Sequence, residues 1–149
     1  MKTVIQRVQY ANVAVNGERL AQIGPGLLIL VGFSDADDHS VVDQMAAKII
    51  RLRIFDDPQG KMNLALPAVG GAILSISQFT LYADCRHGNR PGFTKAGKWE
   101  HAEALYAYFN ETLRRLGANV ETGIFGAEMK VELLNDGPIT ILLDSEELK

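Results

Sequence analysis

The chain predicts an α+β fold, a compact, barrel-like and mostly antiparallel β-sheet with two main helices. Three observations carry this. About eight short apolar or alternating runs are separated by Gly, Pro, Asn and Asp, the turn-forming residues. Two longer segments, around 42–54 and 98–116, repeat their apolar residues at helical spacing. The elements come in runs of strands broken by single helices, which excludes a strictly alternating parallel fold.

In chain order, Thr3 to Val8 alternates with Val4, Ile5 and Val8 apolar, and reads as a strand continued by Asn12 to Val15. Asn16-Gly17 is a hairpin signal, because both residue types tolerate the positive φ of the tightest turns. Glu18 to Ile23 would return from it. Gly24-Pro25-Gly26 turns the chain into Leu27 to Phe33, an almost continuous apolar run that suits a strand covered on both faces. Ser34, Asp35, Asp37 and Asp38 lead into the first helix, where acids complement the helix dipole. Val42, Met45, Ala46, Ile49 and Arg53 mark its stripe, ending near Ile54. Asp56 to Gly60 is a turn, Met62 to Leu66 a short strand, and Val69-Gly70-Gly71 another turn.

Ala72 to Ala83 reads as one long strand. Asp84 to Gly97 is a loop, and the second helix runs from about Lys98 to Leu116. Its buried face is Ala102, Leu105, Tyr106, Phe109, Leu113 and Leu116, and Gly117 ends it. Three strands are expected to follow, around Val120, over Met129 to Leu134 and over Ile139 to Leu143, the last two paired about a turn.

One domain, 1–149, accommodates 149 residues. A chain 47% hydrophobic and 22% charged has the makings of a core and not of a disordered segment. The net charge of −3 disfavours coating nucleic acid by bulk electrostatics, DNA included, but allows grip on a single nucleotide end. One cysteine, Cys85, permits no internal disulfide and fits a reducing, cytoplasmic setting. Leu27 to Val31, the longest apolar run, is far short of a bilayer span, so no membrane partner is expected.

Several site classes are disfavoured. The histidines His39, His87 and His101 lack acids at useful spacing, and Cys85, His87 and His101 make an incomplete zinc set, so neither metal nor cofactor is expected. There is no Gly-x-Ser-x-Gly elbow and no phosphate-binding loop. Gly123-Ile124-Phe125-Gly126 matches an RNA-clamping GxxG only superficially, because strands rather than helices flank it. Asp35, Asp37, Asp38, Asp56 and Asp57 fit capping and turns.

Three features stay open. Arg86, Arg90, Lys95 and Lys98 fall in a stretch without acids, either as solvated cations or as a phosphate-facing patch. Strand alternation in Ser77-Gln78-Phe79-Thr80 puts Ser77 and Phe79 on one face and Gln78 and Thr80 on the other, as a hydroxyl ladder or as groups facing a ligand. Asn135-Asp136-Gly137-Pro138 is either a plain hairpin turn or a cis Gly-Pro, a linkage uncommon enough to mark forced geometry. The proline's missing donor restricts it to a strand start or an edge.

Gln6-Arg7-Val8, Gly60-Lys61-Met62-Asn63, Ser77 to Asp84, Arg90-Pro91, Gly126-Ala127-Glu128-Met129 and Asn135 to Thr140 together resemble the D-aminoacyl-tRNA deacylases, in order and spacing, over Met1 to about Ser145. The resemblance implies hydrolysis of the ester joining a D-amino acid to the terminal adenosine of tRNA. It also implies action on glycine mischarged on tRNA-Ala. It further implies a homodimer in which the cis Gly-Pro of one subunit reaches into the site of the other. On that match the partner is the aminoacyl-tRNA acceptor end. Ser77, Gln78, Phe79 and Thr80 would line the scissile ester, and Phe79, Phe125 and Met129 would lie near the adenine. Gly137 and Pro138 would form a chirality filter that Arg7 holds in place.

Two main-chain oxygens fixed at such a filter would bind the substrate ammonium and turn an L side chain into rigid backbone, while glycine passes. Thr80 has no evident general base, so water assisted by the ribose 2′-OH fits better than a covalent route. The segment Gly92 to Trp99 departs from the family pattern. Two other readings compete: a general esterase with Thr80 as nucleophile, and a binding module for RNA ends that catalyses nothing.

Overall fold

The computed structural model describes residues 1–148. Its first strand, β1 (Lys2–Val15), runs without a break through both expected stretches, Thr3 to Val8 and Asn12 to Val15, and organises the sheet. Along one edge it pairs antiparallel with β2 (Glu18–Ile23) over Ala11 to Val15 and with β3 (Gly26–Gly32) over Lys2 to Val8. Asn16, at φ 52°, and Gly17, at φ 80°, make the tight turn between β1 and β2.

The first helix, α1 (His39–Arg51), starts at Asp38, whose side chain accepts from the Val41 amide. Its neighbours are structural too. Asp37 takes the Met1 ammonium at 2.6 Å and the Ser34 amide at 2.7 Å. Asp35 accepts from the Lys98 amide at 2.8 Å. After α1 come a small hairpin, β4 (Phe55–Asp56) with β5 (Met62–Leu64), and a one-turn helix, α2 (Leu66–Val69), opened by Pro67.

Next is β6 (Ala72–Ser77), which pairs parallel with β3, and after it a 3-10 turn over Phe79–Tyr82. The expected long strand therefore stops at Ser77. Amides of Leu81 and Ala83 bond back to the carbonyls of Gln78 and Thr80, three residues earlier, so the apolar alternation continues through a turn. Helix α3 (Trp99–Arg115) follows the loop, and β7 (Asn119–Thr122) pairs parallel with β6. The sheet is thus mixed: its β1 pairings are antiparallel, but β3, β6 and β7 run parallel because helical connections return the chain to the same end.

The last strand, β8 (Lys130–Asp144), pairs antiparallel along the second edge of β1. The two apolar runs expected to pair with each other both pair with β1. Between Gln6 and Val8 lies one residue, Arg7, whereas between their partners Thr140 and Asn135 lie four, so three residues are extruded as a bulge. A 3-10 turn over Ser145–Leu148 ends the described chain.

The continuous apolar run in β3 has a simple cause. Leu27, Ile29 and Val31 belong to a core shared with Met45, Ile49, Phe109 and Leu113 of the helices, whereas Leu28 packs in a second core with Val8, Val13, Leu74 and Ile76. Both faces of the strand are covered, the helices on one side and the curl of the sheet on the other. No helix among the described residues is long and apolar enough to cross a membrane.

Candidate functional site: an aromatic-lined pocket at the strand ends

A pocket of about 390 Å³ opens where β3 and β6 end side by side. Strand ends are natural positions for a site, because side chains and backbone groups leave the ladder there. The last ladder bond runs from the Gln78 amide to the Val31 carbonyl, at 2.7 Å. Beyond it the 3-10 turn begins. The Phe79 and Thr80 amides precede the first donor of that turn, Leu81, so its own bonding leaves them uncommitted.

Ser77, Gln78, Phe79, Phe125 and Met129 all line this pocket. Five residues from two separated stretches of sequence, 77–79 and 125–129, are therefore brought together. Thr80 adjoins them through its side chain, whose hydroxyl accepts a 2.6 Å hydrogen bond from the Gln78 amide nitrogen. Gln78 and Thr80 thus meet across the turn and not along one strand face. Phe79 is 56% exposed, and its ring meets Phe93 edge-on at 5.0 Å.

Trp99, Gly97 and Gly126 also line the pocket, beyond the site residues expected from the sequence. Trp99 meets Phe125 edge-on at 5.1 Å, and Phe125 rests against Tyr106 at 5.9 Å. Tyr106 is buried and donates to the Ser75 carbonyl at 2.7 Å, which ties this aromatic series to β6. Burial pushes the Tyr106 and Tyr82 phenols upward from their usual ionisation range. Gly126 is obligatory here. Its φ is 75°, and a Cβ would lie 1.9 Å from the Trp99 ring. The signal for Trp99 was present: it precedes Ala102 by three residues and Tyr106 by seven, on the same helical stripe.

Of the fifteen residues lining the pocket, none carries a carboxylate, an imidazole or an amine. Its chemistry is limited to hydroxyl, amide, thioether, aromatic and main-chain groups. The histidines lie elsewhere. His39 stacks on Tyr108, and Nε2 of His101 sits 2.9 Å from the Asp37 carbonyl oxygen. Cys85 is exposed.

The loop cations divide. Arg86 makes two bonds to Asp84, at 2.8 and 2.6 Å, and Lys95 stands 4.0 Å from it. The Arg86 guanidinium holds the Asp84 carboxyl well below the usual carboxylate range. Asp84 also exchanges backbone bonds with Gly92, closing the loop at its base. Arg90 and Lys98 are exposed.

Arg7, Gly137 and Pro138 form a second group. The Gly137–Pro138 peptide is cis, and both residues are exposed on the β8 bulge. Arg7, opposite the bulge, is 7% exposed. Its guanidinium donates to the Ile54 carbonyl at 2.8 Å and the Asp136 carbonyl at 3.2 Å, and lies 3.5 Å from the Asp56 carboxylate. The Asn135 side chain ties the bulge from inside, donating to the carbonyls of Arg7 and Ile139 at 3.0 and 2.9 Å.

The two groups are apart. None of Arg7, Gly137 and Pro138 lines the pocket: along β1, Arg7 lies four residues from Thr3, the partner of pocket-lining Val31, and six from Val13, the partner of pocket-lining Val131, about 13 and 20 Å of extended strand.

A curled mixed sheet whose strand ends hold an aromatic pocket free of acids and bases defines a small α+β protein built to position a ligand. The D-Tyr-tRNA(Tyr) deacylase family model matches residues 4–144. A D-aminoacyl-tRNA deacylase of Symbiobacterium thermophilum is 53% identical over 147 residues, 99% of this chain and 97% of that one. One from Listeria innocua is 52% identical over 149 residues, covering 100% and 99%. The chain belongs to the D-Tyr-tRNA(Tyr) deacylase family.

Among solved structures, the c-Myc DNA Unwinding Element Binding Protein superposes with a TM-score of 0.91 at 41% identity, over 97% of this chain and 98% of that one. A probable eukaryotic D-amino acid tRNA deacylase shares the fold at 18% identity, with a TM-score of 0.80 over 95% and 97% of the two chains.

Proposed function

We propose that the chain is a cytoplasmic D-aminoacyl-tRNA deacylase. It hydrolyses the ester between a D-amino acid, or achiral glycine mischarged on tRNA-Ala, and the terminal adenosine of tRNA. The observation that carries the reading is the pocket at the ends of β3 and β6, which joins hydroxyl, amide and main-chain donors to a wall of aromatic rings yet holds no acid or base. Such a site can orient an ester and stabilise its oxyanion, but the proton acceptor must come from the substrate.

In the reaction, water adds to the ester carbonyl carbon with the vicinal ribose 2′-OH assisting. The developing oxyanion is received by the Phe79 and Thr80 amides. The bond from carbonyl carbon to ribose oxygen then breaks, the ribose oxygen takes a proton, and the free amino acid and tRNA leave. Phe79, Phe125 and Met129 hold the adenine, while Ser77, Gln78 and Thr80 shape the ester end.

Handedness is sensed by Gly137 and Pro138. Neither lines the pocket of its own chain, and about 13 to 20 Å of strand intervenes, so in this reading they serve the pocket of a second copy, in a homodimer. Their exposure and the clamp formed by Arg7 and Asn135 favour that reading: the bulge is fixed at its base and projects outward. Carbonyl oxygens presented there take the substrate ammonium. An L side chain then points into backbone, and a D side chain points away.

The test is hydrolysis of tRNA charged with D-Tyr and with L-Tyr. Fast release of D-Tyr with L-Tyr-tRNA intact is expected, and equal rates would overturn the proposal. Duplex DNA serves as the control suggested by the name of the 41% identical structure. A net charge of −3 predicts no salt-sensitive duplex binding.

A further inference from the structure

Trp99 is the chain's single tryptophan and 59% exposed, yet it is not loosely held. Gly126 lies close against its ring, Phe125 meets it edge-on, and the start of α3 beneath it is pinned by the bonds from Lys98 to Asp35 and from Gly97 to the Phe33 carbonyl, both 2.8 Å. A pinned, exposed indole at a pocket mouth presents apolar surface to solvent, and nothing among the described residues covers most of it.

It does not stand alone. Phe79 and Phe93, 56% and 37% exposed, form the other aromatic pair of the same region. The segment from Cys85 to Trp99 adds two exposed cations, Arg90 and Lys98, while Arg86 and Lys95 stand against Asp84. Aromatic rings interleaved with cations are the means by which proteins hold unpaired nucleic acid, the rings stacking bases and the cations following the phosphates.

We infer that Trp99, at the rim of the pocket that holds the adenine, is a stacking platform for the unpaired nucleotide that immediately precedes the terminal adenosine. The inference rests on the deacylase reading. The terminal adenosine fills the pocket, the chain leaves through the mouth, and the preceding base meets the free face of the indole. Lys98, adjacent in sequence and exposed, is placed to accompany the connecting phosphate. Trp99 is a binding residue here and takes no part in the chemical step.

The experiment is calorimetric titration of the wild type, Trp99→Leu and Trp99→Phe with adenosine and with the trinucleotide CCA. Trp99→Leu is expected to weaken CCA binding about tenfold, the worth of one base stack. Adenosine, which meets only the pocket-facing side of the indole, should be weakened much less than CCA, and Trp99→Phe should retain most of the CCA affinity. CCA should quench the wild-type tryptophan emission more strongly than adenosine does. Equal weakening of both ligands would mean that Trp99 serves the adenine alone and would overturn the inference, as would no weakening of either. Circular dichroism of both variants guards against misfolding, and a misfolded Trp99→Leu leaves the wild-type emission to decide. D-Tyr-tRNA hydrolysis by the wild type separates the two levels: hydrolysis without a CCA effect sinks the subsite alone, and no hydrolysis sinks the deacylase reading with it.

Discussion

Replacing Arg7 by lysine tests whether the bulge is held from behind. The substitution keeps the charge and most of the buried stem, but it exchanges a planar fork for a single ammonium. The fork now spans two carbonyls, Ile54 at 2.8 Å and Asp136 at 3.2 Å, which belong to different segments. An ammonium that reaches one leaves the other without its charged donor. Losing one such bond costs about 1.5–3 kcal/mol. Stability of a domain this size is typically about 5–15 kcal/mol, so the variant should fold. Urea denaturation should show a lower midpoint with an unchanged slope. If the bulge is the chirality filter, the variant should hydrolyse L-Tyr-tRNA measurably while keeping much of its D-Tyr-tRNA rate, because a loosened wall excludes less. An unfolding free energy within about 0.5 kcal/mol of wild type, the range of neutral surface changes, together with intact discrimination would refute the reasoning.

Four further outcomes are expected. Gly137→Ala places a Cβ 2.8 Å from Ile139 Cγ1 and 3.1 Å from Arg7 at φ 123°; it should lower stability by about 1–3 kcal/mol and abolish D-Tyr-tRNA hydrolysis in a folded protein, measured by denaturation and by product release. Thr80→Ala removes the acceptor of the 2.6 Å bond from Gln78, and its rate should fall by no more than about a hundredfold, whereas tRNA ending in 2′-deoxyadenosine should be nearly inert; the reverse pattern would favour Thr80 as nucleophile. Gly126→Ala should displace the Trp99 ring and shift the tryptophan emission maximum, with weaker substrate binding as the second readout. Tyr82 and Tyr106 have folded pKa values raised above 10, so the stability they confer is fully present below pH 10 and lost as pH rises past it; absorbance at 295 nm should show two of the four phenols ionising only as the protein unfolds.

Local signals were legible wherever the cause was local. Both helices declared themselves through their stripes, Asp38 through capping, and Asn16-Gly17 through the turn it forms. The doubly covered β3 was readable as an apolar run. What escaped depended on partners distant in sequence. Nothing in Val131 to Leu143 says that both halves pair with β1 and not with each other, since the extruded residues are visible only against the register of Gln6 and Val8. The stop after Ser77 escaped because Phe79-Thr80-Leu81-Tyr82 keeps the alternation of a strand while bonding as a 3-10 turn. Trp99 was missed because its stripe was begun one turn too late. Of the proposed site residues, Ser77, Gln78 and Phe79 were placed by motif and joined to Phe125 and Met129 by the curl of the sheet, which no spacing reports.

The split between pocket and bulge follows from the ladder. Pocket-lining Val131 and the bulge sit on the same strand, β8, and both are held against β1, whose length keeps them apart. A strand paired on both sides of its bulge cannot fold the bulge back along the ladder without breaking bonds worth about 1 kcal/mol each. So the bulge cannot approach its own pocket by a small motion. The pocket also lacks any group able to take a proton. On the proposed function both deficits have the same form: the chain would supply rigid surfaces and leave the opposing wall to a second copy and the proton acceptor to the ribose. A monomeric variant makes this concrete. It should keep its pocket and bind adenosine as the wild type does, yet lose its preference for D over L substrates. If a strictly monomeric form still discriminated between D-Tyr-tRNA and L-Tyr-tRNA, Gly137 and Pro138 would have no part in sensing handedness.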